Sequence, residues 1–411
     1  MERPAARNRL LRALAVSLVA GGLAFAGTDT ERIGNVVTLP GTPGPHWFWL
    51  SDILLHRTAL FDADSGEQLG AISSGSAGVG FVIAPLFSPD HREIYLAETY
   101  YARGVRGERT DVVTVYDATS FRVLAEVGIP PHRAEYFPGN GANALSDDGR
   151  FMAVFNLTPA TSLSIVDVRA RRFTAEIATP GCALAYGAGP RRFLMLCANG
   201  AALTVSVDDE GHEAHLERSE PFFDPQKDPI TEKGVRRGTE WLFPSFEGVV
   251  HSVDVGAEAL RFGETWSLVD AEDRRATWRI GGGQHLAVHG ASGRLYALMH
   301  RGGPDTHKEP GTEVWVYDLA TRRRVLRIPV LNPLVSFIAQ QTGRGEWGRW
   351  LLAKVLPNPG VERILVTQDE HPVLVASASI PPTVTIHDAM TGAVVREVSE
   401  PGLAGSLLFA P

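Results

Sequence analysis

The sequence predicts an all-β protein, a seven-bladed β-propeller closed by pairing of its N- and C-terminal strands. The prediction depends on a repeated hairpin, on a strand preceding most copies of it, and on two complementary strands at the chain ends. Seven times a short apolar run ends in an aspartate, passes through a small polar turn and continues into a second apolar run. Repeats of roughly 40 to 50 residues are typical of propellers, whose blades are four-stranded sheets.

The repeated unit is predicted to be a hairpin because its apolar residues alternate with polar ones and its turn is rich in Asp, Gly and Ser. One hairpin alone cannot bury its apolar face, whereas a ring of sheets can. The aspartates are expected to accept backbone N–H groups of the turns, a structural role. They are Asp62, Asp117, Asp167, Asp208, Asp254, Asp318 and Asp388, between 41 and 70 residues apart.

The strands around the hairpins predict how the ring closes. A further strand precedes six of the aspartates, at 93–100, 151–157, 192–200, 240–248, 294–300 and 373–379. The first hairpin is preceded only by 46–52, whereas 405–411 is left over at the C-terminus. Pairing these two segments would leave no open sheet edge. The alternative is an open sandwich with a second all-β domain.

The N-terminus predicts export. Four arginines, an apolar stretch over 13–23 and the triplet Ala24, Phe25 and Ala26 are typical of a secretory signal peptide. The apolar stretch is short for a membrane span of about 20 residues. We therefore predict a cleaved signal peptide (1–26), an N-terminal extension (27–44), one propeller domain (45–411) and no membrane span after cleavage. An uncleaved N-terminal anchor is the alternative.

Charge and motifs exclude several function classes. The formal charge is −8, and cleavage after Ala26 would take it to −11, so a nucleic-acid partner is not expected. No GxSxG motif is present, and the glycines at 78–80 lack a third glycine and a following helix. The segment 300–309 contains metal-capable side chains, but its spacing matches no compact metal site, and we predict no metal.

The only two cysteines, Cys182 and Cys197, lie on neighbouring predicted strands of one blade. Antiparallel neighbours bring such positions within reach of a disulfide, which an oxidising compartment would retain. We predict that bond, and two free buried thiols are the alternative.

Several segments resemble the heavy, non-quinone subunit of methylamine dehydrogenase and of its relative aromatic amine dehydrogenase. The resemblance runs from about Pro45 to the C-terminus, and the RGERTD block (106–111) with the strand after it is the most specific part. The two cysteines match the positions of that family's intrachain disulfide. The segments are 100–130, 180–200, 277–299 and 306–324.

The resemblance implies the large subunit of a periplasmic α2β2 quinoprotein that oxidises primary amines to aldehydes and ammonia. Its cofactor, tryptophan tryptophylquinone, would lie on a separate light chain, so no catalytic residue and no cofactor is expected on this chain. Electrons would leave to a blue copper protein or a c-type cytochrome. A freestanding exported propeller that binds a ligand or a protein without catalysis is the alternative, because many functions occur on this fold.

Two segments depart from the family pattern. The family heavy chain places an aromatic side chain near the amine channel just after the first hairpin, and in 73–90 the nearest aromatic residue is Phe81. We predict Phe81 as the substrate-channel residue, with a core phenylalanine as the alternative. The second departure is an insertion at 331–360, where Trp347 and Trp350 either cover a partner surface or are buried and hold a solvent loop.

Overall fold

The computed structural model describes residues 38–73, 85–135, 140–343, 345–399 and 401–411. Leu39–Pro411 forms one compact unit of seven antiparallel sheets, one for each repeated hairpin. The seven-bladed β-propeller is therefore confirmed, and the open sandwich is wrong. The predicted signal peptide lies outside the described residues, as does most of the predicted extension 27–44.

Blades are numbered from the N-terminal hairpin. Blades one to three contain β1 (Trp47–Asp52), β2 (Arg57–Asp62), β3 (Gln68–Ser73), β4 (Leu86–Phe87), β5 (Glu93–Tyr101), β6 (Arg109–Asp117), β7 (Val123–Ile129), β8 (Asn143–Leu145), β9 (Phe151–Asn156), β10 (Ser162–Asp167) and β11 (Arg172–Ala178). Blades four and five contain β12 (Cys182–Gly187), β13 (Arg192–Cys197), β14 (Ala202–Val207), β15 (Glu213–Arg218), β16 (Val235–Arg237), β17 (Glu240–Pro244), β18 (Val249–Asp254), β19 (Arg261–Phe262) and β20 (Trp266–Ser267).

Blades six and seven contain β21 (Trp278–Ile280), β22 (Leu286–His289), β23 (Arg294–Arg301), β24 (Glu313–Asp318), β25 (Arg323–Pro329), β26 (Arg363–Val366), β27 (Val373–Ser379), β28 (Pro382–Asp388) and β29 (Val394–Val398). The last strand, β30 (Gly405–Phe409), belongs to blade one. The α-helices of the described residues are α1 (Ala271–Arg275), α2 (Pro333–Thr342) and α3 (Glu346–Val355). None of these helices is both long and apolar enough to cross a bilayer.

Each blade runs from an inner strand beside the axis to an outer strand at the rim. Blade five has a divided outer strand, because β19 and β20 both pair with β18. Blade six has a divided inner strand, because β21 and β22 both pair with β23. These divisions and α1 account for the long interval between Asp254 and Asp318. The insertion that holds α2 and α3 accounts for the still longer one before Asp388.

The ring closes where β30 pairs with β1, with Trp49 opposite Phe409 and Leu50 opposite Leu408. The Asp52 carboxylate accepts the backbone N–H groups of Leu54 and Leu55 on one oxygen (2.9 and 3.0 Å). Its other oxygen accepts those of Leu403 and Ala404, at 2.6 and 3.1 Å. One buried carboxylate therefore joins the first blade strand to the last segment of the chain, and the predicted closure is confirmed.

Strands in the middle of each blade are buried on both faces, whereas the sequence pattern predicted one buried face. On β1, Phe48 and Leu50 pack with Val375 of blade seven. Trp49, between them, packs with Ile94 and other residues of blade two. Alternate side chains of one strand therefore fill the two neighbouring blade interfaces, so the core lies between the sheets.

The repeated aspartates all lie at, or directly after, the end of the third strand of a blade. Asp388, for example, accepts the N–H groups of Met390 and Thr391 at 2.9 and 2.7 Å. Asp117 accepts those of Thr119 and Ser120 at 3.1 and 2.8 Å. The predicted structural role of these aspartates is therefore confirmed.

Because consecutive strands are antiparallel, the connections alternate between the two ends of the propeller. The aspartate end carries the turns after the repeated aspartates. The hairpin end carries the turn between the second and third strands of every blade, together with the connections from each outer strand to the next inner strand. The insertion 331–360 belongs to the hairpin end.

We expect Asp52→Ala to lower the free energy of unfolding by about 3 kcal/mol, because four backbone N–H groups would lose a charged acceptor where the ring closes. Urea denaturation measures the change. Asp208→Ala is the matched control, since Asp208 accepts two N–H groups in an exposed turn of blade four. Equal losses in the two variants would contradict the role given to the closure.

A second expectation concerns pH. At the aspartate end, His46 bonds to Asp64 of blade one at 2.7 Å and to Asp369 of blade seven at 3.1 Å. Burial opposes protonation, but the hydrogen bonds and charges of the two carboxylates outweigh it and raise the pKa of His46. The stabilisation is then full below the unfolded pKa of about 6.5 and is lost as pH rises through the folded value.

The wild type should therefore have a higher Tm than His46→Gln, and the difference in Tm should be larger at pH 5.5 than at pH 8.5. His215→Gln, at an exposed position of an outer strand, should show no such difference. A gap between wild type and His46→Gln that does not vary with pH would rule out the charged interaction.

Candidate interaction face

Exposed large apolar side chains concentrate at the hairpin end. On its turns and connections and at the adjoining end of β5 they are Leu54, Leu55, Tyr100, Val105, Leu157, Trp347, Trp350, Leu351, Val355, Ile380 and Leu403. At the aspartate end the described residues show one such side chain, Met390, and the others lie on outer strands at the rim. The two ends therefore differ in how much apolar surface they present to solvent.

The apolar residues of the hairpin end form an arc. They belong to blades one, two, three and seven and to the connections on either side of blade seven, whereas no described residue of blades four to six contributes at this end. Ile380 is 82% exposed and Val105 65%. Exposed apolar side chains that concentrate at one end of a soluble protein indicate a candidate interaction site. We call this surface, without the helical insertion, the apolar arc.

A buried charge network supports the arc on blade two, at the end of the RGERTD block. Arg109 binds Asp111 through two parallel hydrogen bonds of 2.8 Å. Asp111 also accepts the Thr99 hydroxyl (2.9 Å) and the backbone N–H of Arg133 (3.1 Å). Arg109 in turn donates to the Arg133 carbonyl at 2.7 Å. The network joins the β5–β6 hairpin to the connection that leads into blade three.

Arg133 is the most deeply buried cation of this network. Burial lowers its pKa to about 10, and the Asp111 charge opposes that shift, so the side chain stays charged at neutral pH. Its Nε donates to Thr99 at 2.9 Å, while both Nη atoms lack a hydrogen-bond partner among the described residues. The charge therefore depends on the nearby carboxylates for compensation.

A cavity of about 630 Å³ lies on the axis and is lined by the inner strands of all seven blades. Its cationic side chains are already paired: Lys233 lies 2.6 Å from Glu232, and Arg236 binds Asp147 through contacts of 2.6 and 2.7 Å. Gln284 bridges the cavity wall to the backbone of Leu408 in β30, donating and accepting at 2.9 Å. The cavity can admit a small molecule but offers little uncompensated charge.

Three histidines of blade six are buried or stacked against neighbouring side chains. Burial is the main reason that the pKa of His285 falls to about 3, and its Nε2 lies 2.9 Å from the Thr231 hydroxyl. His307 stacks on Phe246, and His300 bonds to Thr306 at 2.8 Å. Within the described residues, no three His, Cys, Asp or Glu side chains are grouped to hold a metal ion.

The predicted disulfide is confirmed, because Cys182 of β12 and Cys197 of β13 face each other and are bonded. Both are buried, so the bond fixes blade four internally and the alternative of free thiols is wrong. Phe81 lies outside the described residues, and its role at the substrate channel stays a prediction.

The insertion differs from the loop that the sequence predicted. It forms the two helices α2 and α3, and Trp347 and Trp350 are 75% and 55% exposed. The alternative in which buried tryptophans hold the loop is therefore wrong. The sequence reasoning missed the helical spacing of Trp347, Leu351 and Val355, which is the signal that could have revealed α3.

The fold and the face define a closed β-propeller that presents apolar surface at one end. The chain belongs to the methylamine dehydrogenase heavy chain family, whose model matches residues 55–344. It is 25% identical to the methylamine dehydrogenase heavy chain of Methylobacillus flagellatus over 396 residues, which cover 96% of this chain and 92% of that one. The Paracoccus versutus heavy chain is 26% identical over 346 residues, covering 84% and 73%.

Solved structures agree on the fold alone. Dihydro-heme d1 dehydrogenase NirN superimposes with a TM-score of 0.55 at 16% identity, covering 90% of this chain and 77% of NirN. A functionally unknown protein from Desulfotomaculum acetoxidans gives 0.56 at 12% identity, covering 89% and 98%.

We expect Asp111→Asn to lower the free energy of unfolding by about 3 kcal/mol, because it removes the carboxylate that Arg109 binds through two hydrogen bonds and one of the charges that compensate the buried Arg133. Chemical denaturation measures the loss. Glu108→Gln, an exposed neutralisation in the same hairpin, should leave stability within experimental error of the wild type. A small loss for Asp111→Asn would show that the network adds little to the stability of the propeller.

Proposed function

We propose that this protein is the heavy, non-quinone subunit of a periplasmic amine dehydrogenase that oxidises primary amines to aldehydes and ammonia. Each turnover consumes one amine and one water and releases two electrons and two protons. The redox centre, tryptophan tryptophylquinone on a light chain, supplies the electrophilic carbonyl and accepts the electrons. Electrons then pass to a blue copper protein or a c-type cytochrome. Membership of the heavy-chain family supports this assignment.

The observation that carries the proposal is the apolar arc. A heavy chain must hold its light chain, and a stable subunit interface needs apolar area with aromatic anchors. The arc provides such area on a rigid ring. We place the light-chain interface there, in an α2β2 assembly.

Export is part of the proposal. The basic and apolar N-terminus is typical of a signal peptide, and the Cys182–Cys197 bond suits an oxidising compartment such as the periplasm.

A second candidate, a freestanding propeller that binds a small ligand, is favoured by the axial cavity, whose volume is in the range of small-molecule sites. It predicts an exported chain that purifies without a quinone-bearing partner.

The main test is co-expression with the candidate light chain, a small exported chain of about a dozen cysteines expected from the neighbouring gene. We expect amine-dependent dye reduction only when both chains are present and the quinone is mature. Leu54→Glu with Ile380→Glu should lower the rate at least tenfold at fixed subunit concentrations, because charges in an apolar interface remain unpaired.

The matched control is Val394→Glu, an exposed valine on the rim. It should retain the wild-type rate. No turnover of any primary amine by a folded complex with a mature cofactor would contradict the assignment.

A further inference from the structure

The insertion forms a helical hairpin that is held at both of its ends. Asn332 caps α2 by accepting the N–H groups of Leu334 and Val335 (3.0 and 3.4 Å). The same side chain donates to the carbonyl of Pro357, beyond the end of α3, at 3.0 Å. Val335 is one of the α2 residues buried beneath the hairpin. One asparagine therefore joins the start of the insertion to its end.

The hairpin is also fixed to blade seven. Gln340 of α2 and Arg349 of α3 both bind the carboxylate of Glu397 on β29, and the Gln340 contact is 3.2 Å long. α2 lies beside β28. Two helices joined to one strand by a shared carboxylate have a defined orientation on the blade, so the direction in which α3 faces is set by the fold.

Away from Arg349, α3 presents an apolar stripe to solvent. Trp347, Leu351 and Val355 recur every four residues, and Trp350 lies beside them. Val355 is 70% exposed, and none of the side chains described in α3 is fully buried. A short helix with an uncovered apolar face has no stabilising contact on that side, and tryptophan is strongly enriched at interface hot spots.

The stripe lies at the same end of the propeller as the apolar arc. Ile380, the most exposed large apolar residue of that arc, is on the hairpin between β27 and β28, the blade on which α2 rests. The family model matches this chain only to residue 344, so α3 lies beyond the matched region. The helix therefore extends the proposed interface with surface of its own.

We propose that α3 is an additional docking helix for the light chain, whose apolar surface would cover Trp347, Trp350 and Val355. Lys354 lies 3.7 Å from the centroid of the Trp350 ring, so a carboxylate at the rim of the partner surface would complete the contact. The inference rests on the proposed function and names an element of this chain that strengthens the subunit contact.

The test uses the full chain and the purified, mature light chain. Trp347→Ser with Trp350→Ser should raise the Kd for the light chain at least tenfold, measured by biolayer interferometry. The matched control is Val394→Ser with Val395→Ser, at valines 49% and 54% exposed on the outer strand of the same blade. It should stay within twofold of wild type. Thermal unfolding verifies that both variants fold.

Unchanged light-chain affinity in the tryptophan variant would overturn this inference and leave the proposed function intact. A wild-type chain that does not bind the light chain would overturn both. Sedimentation separates a third result: if the wild type self-associates and the tryptophan variant does not, while light-chain affinity is equal, the stripe covers a second copy and the inference is wrong.

Discussion

The pairing of β1 with β30 is the contact on which the rest of the structure depends. Without it, blade one would lack its inner strand, and two strand edges would be open to other chains. The Asp52 carboxylate of blade one binds the segment just before β30. The Gln284 amide of blade six binds β30 itself, at Leu408. Closure therefore involves blades that are far apart in sequence.

A closed ring leaves few places where surface can vary. Strands that are buried on both faces pack against the neighbouring blades. The turns after the repeated aspartates are short because the aspartate carboxylate accepts backbone N–H groups of the turn. The hairpin end has no such repeated constraint, and it carries the longer connections, the helical insertion and most of the exposed apolar side chains. The difference between the two ends thus follows from the repeat itself.

The repeat, the closure and the disulfide could be predicted because each depends on short patterns or on neighbours within one blade. The insertion was harder to predict, because the helical spacing of Trp347, Leu351 and Val355 stands among residues typical of loops. Gly343, Gly345 and the prolines after α3 indicate a loop, and the helices are stabilised by contacts with Glu397, some 50 residues away. The Asp111 network was also hidden, because Arg133 lies 22 residues beyond its acceptor and nothing local marks it as buried.

The state of the titratable groups near the axial cavity bears on where chemistry can occur. A general acid or base needs a pKa near the working pH. Burial lowers the pKa of His285 to about 3 and raises that of Tyr186 well above its usual value. The charge and hydrogen bond of Lys233 keep the pKa of Glu232 low despite its burial. These three groups keep one protonation state around neutral pH, so none of them is suited to act as a general acid or base there.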